Sequence, residues 1–256
     1  MSKSSSTKSN VITKASQKRL LKDVVDLLKN PLSDQGIYYL HDEENILSGY
    51  AMIIGPENTP YENGIYMFNF NFPTNYPYSP PVLKYMTNDG HTRFNPNLYR
   101  SGKVCLSILN TWRGEQWTSC QTIRSILLTL ITVLNDTPLI NEPGISRGHT
   151  DVKRYNKVIS YKNYEVAMHN VLTKVCLPQK HISFYPIIKK HFLEKKDNII
   201  KKLKKESNEY NKKVSKLDKE DQNRYYRTRI YNMCYLPNYD KLLTILQNDF
   251  NNIKLK

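Results

Sequence analysis

Residues 94–109 read Phe94-Asn95-Pro96-Asn97-Leu98-Tyr99-Arg100-Ser101-Gly102-Lys103-Val104-Cys105-Leu106-Ser107-Ile108-Leu109. A single cysteine, Cys105, stands between a polar loop and a short apolar run, and Asn97 precedes it across a Ser-Gly turn. A lone cysteine most often packs as a small hydrophobe. It is also the side chain best suited to carrying an acyl group. A thiolate accepts one from another thioester at little cost in free energy, and the product stays reactive toward an amine. Val104 and Leu106 favour burial, whereas Gly102 and Lys103 leave the approach open. A cysteine protease needs a histidine base and a group that orients it. Of the six histidines only His91 is near in sequence. An acyl group that arrives already activated needs no such base, so the pattern fits transfer better than hydrolysis.

The surroundings set the fold class. Downstream, a loop flanked by Thr111-Trp112 and Trp117-Thr118 leads into 121–135, apolar on most sides and read as a buried central helix. Upstream, strand-like stretches cover 36–40, 46–54, 65–72 and 82–86. The third alternates, with Tyr66, Phe68, Phe70 and Phe72 on one face. Short turns between consecutive strands predict an antiparallel meander. Leu20, Leu21, Val24, Val25, Leu27 and Leu28 recur at helical spacing over 16–30, and Pro31 ends that helix. A polar helix is expected over 150–164. Helix, meander, irregular active segment and further helices make an α+β layer plan.

Beyond about residue 164 the character changes. The stretches 166–176, 181–206 and 240–250 show helical apolar spacing on a charged background, with Phe192, Ile199, Ile200 and Leu203 on one face. Pro178, Pro186 and Pro237 mark breaks. The expected organisation is a disordered polar lead-in over 1–13, a catalytic domain over 14–165, and a basic helical extension over 166–256. The net charge is +15, but residues 1–175 hold 19 Lys and Arg against 14 Asp and Glu. Residues 176–256 hold 19 against 9, so most of the excess lies in the extension. No nucleic-acid motif accompanies it, and no specific nucleic-acid partner is expected. Four scattered cysteines without a CxxC, and no histidine cluster, predict neither disulfides nor a metal site. The start has no apolar signal region, and no stretch reaches the ~20 apolar residues of a membrane span. A reducing intracellular setting, cytoplasmic or nuclear, is expected.

The segment around Cys105 resembles the active site of the ubiquitin-conjugating enzymes. There a His-Pro-Asn triplet precedes the thioester cysteine by this spacing and a Cys-Leu-x-Ile-Leu run follows. Here Asn95 stands in place of the histidine, while Pro96, Asn97 and Cys105 fall in register. Gly55-Pro56-Glu57-Asn58-Thr59-Pro60-Tyr61-Glu62-Asn63-Gly64 is similar to the family's link between two strands. Phe72-Pro73-Thr74-Asn75-Tyr76-Pro77-Tyr78-Ser79-Pro80-Pro81 is similar to its Phe-Pro-x-x-Tyr-Pro-Phe-x-Pro-Pro element. Thr111-Trp112-Arg113-Gly114 and Asn141-Glu142-Pro143-Gly144 resemble the subgroup with a longer loop after the cysteine and a helical C-terminal extension. That subgroup includes the enzyme charged by the second, non-standard ubiquitin-activating enzyme.

The resemblance implies a four-stranded meander flanked by helices. It also implies a transferase of an ATP-dependent pathway that needs no cofactor of its own. Its partners would be ubiquitin or a ubiquitin-like modifier, an activating enzyme, and a ligase. Asn97 would donate to the oxyanion formed when an amine attacks the thioester, or pin the loop beside Cys105; a turn-stabilising asparagine is the plainer reading. Glu142 would be the acidic gate for the attacking lysine, with Asn141 and Asp136 as fallbacks and a solvated loop carboxylate as the plain alternative. Tyr78, Trp117, Thr118 and Ser119 map onto the ligase-facing loops, where the family has Ser-Pro-Ala after the tryptophan and this chain has Thr118-Ser119-Cys120. For Trp117 a core role is equally open. Lys18, Arg19 and Lys22 would meet the activating enzyme, or form a solvated helix face. Two rival functions remain at this point: a non-catalytic binding module of the same fold, and a basic nucleic-acid binder.

Overall fold

The computed structural model describes residues 12–217 and 227–253; the expected lead-in lies outside them up to residue 11. Helix α1, Lys14–Lys29, opens at Thr13, whose side chain accepts the Ser16 N–H, a cap typically worth ~1 kcal/mol. Pro31 closes it, having no N–H to continue the ladder. The strands β1 (Ile37–His41), β2 (Ser48–Ile54), β3 (Ile65–Asn71) and β4 (Val82–Tyr85) form one antiparallel sheet in sequence order. This is the expected meander, with β1 shifted by one residue and β2, β3 and β4 each shortened at one end.

Register divides the sheet into two faces. Tyr39, Ala51, Phe68 and Tyr85 line up on the first, as do Ile53 with Tyr66 and Phe70 with Leu83. That face shares the core with α2, Ile123–Val133, whose Ile123, Ile126, Leu127 and Leu130 are buried. A capping box between Thr122 and Ser125 sets the helix start. The second face pairs Tyr38 with Met52, Tyr50 with Asn69, Met52 with Met67, and Ile54 with Ile65. On this face too Met52, Ile65 and Met67 are fully buried. The C-terminal extension closes it. The His181 ring sits edge-on to Tyr50, 5.3 Å between centroids, with Nε2 3.4 Å from the Phe68 carbonyl. Burial pulls the His181 imidazole down to about 4, so it packs as a neutral ring.

The helix expected over 150–164 runs on. Helix α3, Asp151–Lys162, passes into a π-helical stretch, Asn163–His169, and ends in α4, Asn170–Leu172. Asn163 donates to the Glu62 carbonyl and accepts from the Tyr66 hydroxyl, binding this rod to the β2–β3 connection. Gly64 must lack a side chain there, since a Cβ would stand 1.8 Å from Asn163 Oδ1. After a turn of 3-10 helix, Gln179–Phe184, come α5 (Tyr185–Val214) and α6 (Tyr239–Asn252). Ile188, Phe192, Ile199 and Leu203 of α5 are buried with Leu242, Leu246 and Phe250 of α6. A fully buried side chain of this size contributes roughly 1.5–3 kcal/mol. Lys195 and Lys202 pair with Glu57 and Glu62, so the extension grips the sheet connection by charge as well. No described helix is long and apolar enough to cross a membrane.

Candidate active site

Asn97, in the turn over 95–98, and Cys105 are joined in both directions. The Cys105 N–H donates to the Asn97 carbonyl at 2.9 Å, and Asn97 Nδ2 donates to the Cys105 carbonyl at 2.7 Å. The Asn97 amide therefore pins the cysteine's loop in the resting protein. A primary amide carries two N–H groups, so a second donor remains for an oxyanion. Asn97 Oδ1 is buried and has no partner among the described residues. Cys105 is only 2 % exposed.

Asn95, at the position where the resemblance implies a histidine, is the hub of this arrangement. Its Oδ1 accepts the Asn97 N–H at 2.9 Å and Asn141 Nδ2 at 3.3 Å. Its Nδ2 donates to the Val133 carbonyl at 2.7 Å and to the Tyr61 hydroxyl at 2.9 Å. Tyr61 donates onward to the Phe94 carbonyl, and burial pushes its phenol far up, so it stays protonated. The side chain is fully buried, which makes each of these bonds costly to lose. An amide suits the post because it offers acceptor and donors on one rigid plane. It also carries no charge to desolvate.

Through Asn95 the Asn141-Glu142 loop joins the site. Pro138–Asn141 form a 3-10 turn after α2, and Asn141 Nδ2 also donates to the Val133 carbonyl at 3.1 Å. Glu142 is half-buried, and its Oε2 accepts the hydroxyl of Tyr231. Asp136 lies apart, exposed, with Arg147 3.8 Å away. Of the three gate candidates, Asn141 is hydrogen-bonded to the Asn95 hub, Glu142 bonds to Tyr231, and Asp136 accepts from Thr137 and faces Arg147.

The expected partner-facing residues fall elsewhere and into two kinds. Tyr78 is 76 % exposed, and Thr118 and Ser119 are exposed as well. Trp117 is buried, its Nε1 donating to the Pro77 carbonyl at 2.6 Å, so it fastens the two loops together. Lys18 and Lys22 are exposed on α1. Arg19 instead turns inward. It pairs with Asp23 at 3.0 Å and donates to the Ser119 and Gln121 carbonyls, both at 2.6 Å. It holds the 118–121 loop, a bond across the chain that no local pattern reveals.

Sequence reasoning also missed Arg93. This buried guanidinium donates to the carbonyls of Asn95 (3.1 Å) and Pro96 (2.7 Å), fixing the turn ahead of Asn97. It lies 3.3 Å from the Tyr99 ring centroid and 4.9 Å from that of Tyr231. The aromatic residues around an Arg two positions before the Asn-Pro-Asn turn were the available signal. All four cysteines are free, and no group of three His, Cys, Asp or Glu among the described residues is placed to hold a metal ion.

A family profile described as ubiquitin-conjugating enzyme matches residues 19–163. The zebrafish (Danio rerio) ubiquitin-conjugating enzyme E2 Z is 39% identical over 188 residues, 71% of this chain and 56% of that protein. Its human counterpart is 39% identical over 161 residues, 62% of this chain and 45% of that protein. The human protein named dual E2 ubiquitin-conjugating enzyme/E3 ubiquitin-protein ligase BIRC6 is 39% identical over 202 residues, 73% of this chain but 4% of its own length. The chain thus spans about half the length of the E2 Z relatives it matches.

Proposed function

The chain belongs to the ubiquitin-conjugating enzyme family, and on that premise we propose that it carries ubiquitin, or a ubiquitin-like modifier, as a thioester on Cys105. In the charging step Cys105 Sγ attacks the carbonyl of the activating enzyme's thioester. A new C–S bond forms, the donor's C–S bond breaks, and the thiol proton passes to the departing sulfur. One thioester replaces another, so the step runs near equilibrium without a base. In discharge, the amine of a substrate lysine adds to the carbonyl and the negative charge collects on its oxygen. Cys105 then leaves as thiolate as the amide forms. A ligase cysteine can take the acyl group in place of the amine.

Asn97 supplies the oxyanion donor with its second N–H while its first keeps the loop in place. Glu142 orients the incoming ammonium and takes its proton, a part open to a carboxylate at the edge of the site. The activating enzyme meets Lys18 and Lys22, and the ligase meets Tyr78, Thr118 and Ser119; these contacts follow the exposure of the side chains. The observation that carries the reading is the reciprocal pair of hydrogen bonds between Asn97 and Cys105, built on the Asn95 hub.

A second reading, a member of the family that binds without catalysis, draws on the near-complete burial of Cys105. One assay separates the two. With activating enzyme, ATP and ubiquitin, the catalytic protein forms an adduct on a non-reducing gel that thiol reductant removes. Cys105→Ser leaves at most a reductant-resistant ester, and Cys120→Ser still charges. Absence of the adduct with both known ubiquitin-activating enzymes, or normal charging of Cys105→Ala, sinks the proposal.

A further inference from the structure

Residues 228–235 lie between α5 and α6 and lean back over the active-site loops. The segment is a closed turn. The Thr228 N–H donates to the Met233 carbonyl at 2.8 Å, and its hydroxyl donates to the Ile230 carbonyl at 2.7 Å. Asp151, fully buried at the start of α3, accepts the N–H groups of Arg229 and Ile230 on one oxygen, at 2.6 and 2.7 Å. Tyr231 is held in the left-handed backbone region at φ 64°.

Three contacts join this strap to the site. The Tyr231 hydroxyl donates to Glu142 Oε2. Its ring covers the Arg93 guanidinium, which holds the Asn95 and Pro96 carbonyls. Its carbonyl accepts from Arg100, in the loop that runs to Cys105, at 2.7 Å. Met233 adds a fourth, its sulfur 3.4 Å from the Arg93 backbone nitrogen. Burial, then the neighbouring carboxylate, push the Tyr231 phenol far up, so the ring remains a hydrogen-bond donor across the physiological range.

We infer that Tyr231 is a positioning residue for lysine transfer. From the C-terminal extension it sets the direction of the Glu142 carboxylate and braces the Arg93-held turn that presents Asn97. The inference rests on the roles proposed above for Cys105 and Glu142. Its physical basis is that a half-buried glutamate on a loop has several rotamers, and a single fixed donor selects one. Misplacing a catalytic group by about 1 Å costs up to ~10²-fold in rate. The extension is therefore part of the site.

Tyr231→Phe removes the hydroxyl and keeps the ring over Arg93. In the full chain, charging with ubiquitin should proceed at the native rate while single-turnover discharge to free lysine falls about tenfold. The loss should appear in the limiting rate at saturating lysine. In a Glu142→Gln background, Tyr231→Phe should cost nothing more, because the carboxylate it directs is gone. A merely structural tyrosine would lower discharge equally in both backgrounds. Failure of the native protein to charge would sink the reading of Cys105, and native-rate discharge by Glu142→Gln would sink the gate. Normal charging, slow Glu142→Gln and native-rate Tyr231→Phe would overturn the present inference alone.

Discussion

The active-site segment and the C-terminal extension are held by opposite means. Around Cys105 the ties are short amide and carbonyl hydrogen bonds among Asn95, Asn97, Asn141 and Arg93. The extension is held by a stripe of large apolar side chains, Phe184, Ile188, Phe192 and Leu203 among them, against α6 and the second face of the sheet. Hydrogen bonds fix direction but add modest net stability, about 1 kcal/mol each. Apolar burial adds stability and specifies direction only loosely. One region should therefore govern rate and the other stability, with the strap at 228–235 as the place where the two meet.

The sharpest test of that division is Phe192→Ala, which empties a fully buried site between α5 and α6. It should cost ~3–5 kcal/mol, lowering the Tm by about 10 °C. Charging of the molecules still folded, assayed at low temperature, should be unaltered. A parallel loss of charging at that temperature would break the division. Asn97→Ala is the converse. Discharge to lysine should fall by ~10²-fold for loss of an oxyanion donor, with charging changed little and the Tm near native. Equal losses in both steps would assign Asn97 to holding the loop and nothing else.

A smaller effect is expected from pH. Glu206 on α5 accepts from the Tyr164 hydroxyl at 3.3 Å and faces Lys202, Glu209 and Glu62; burial pushes its carboxyl up to about 7. The folded state therefore favours the neutral acid. That contribution is complete below the ordinary carboxylate value and is lost as pH rises toward 7. Glu206→Gln should match the native Tm near pH 4 and exceed it by about 2–4 °C near pH 8. An identical pH profile in both proteins would remove Glu206 from the joint. The smallest effect is kinetic and local. Cys120 and Cys234 are exposed and Cys105 is not, so iodoacetamide should modify the first two well before Cys105, as read by peptide mass spectrometry. Early modification of Cys105 would show that the loop opens readily in solution.

What the sequence disclosed divides along the same line. The meander was legible because alternation over 65–72 and the turn residues between strands are local signals. The pairing of Asn97 with Cys105 was legible because the two are close in sequence and meet across one turn. The cover on Met52 and Met67 was not, since His181 reaches Tyr50 from 131 positions away and strand alternation cannot register a distant partner. Arg19 looked like a docking charge on a helix face, and only the fold shows its guanidinium spent on the Ser119 and Gln121 carbonyls. Tyr231 carried no motif at all. Its significance comes from a bond to Glu142 across 89 positions of chain.

The two amides that Asp151 holds give the strap a clock of its own. The helices α5 and α6 keep their own buried stripes, so an opening confined to residues 228–235 would leave both docked. Such a partial opening has a free energy below that of global unfolding. The Arg229 and Ile230 protons are protected from solvent by one buried carboxylate, and their exchange with deuterium counts how often the strap lets go. Any such excursion breaks the Tyr231 contacts to Glu142 and Arg93 together. The frequency with which those contacts break is thus written in the exchange rates of two backbone protons well removed from the cysteine in sequence.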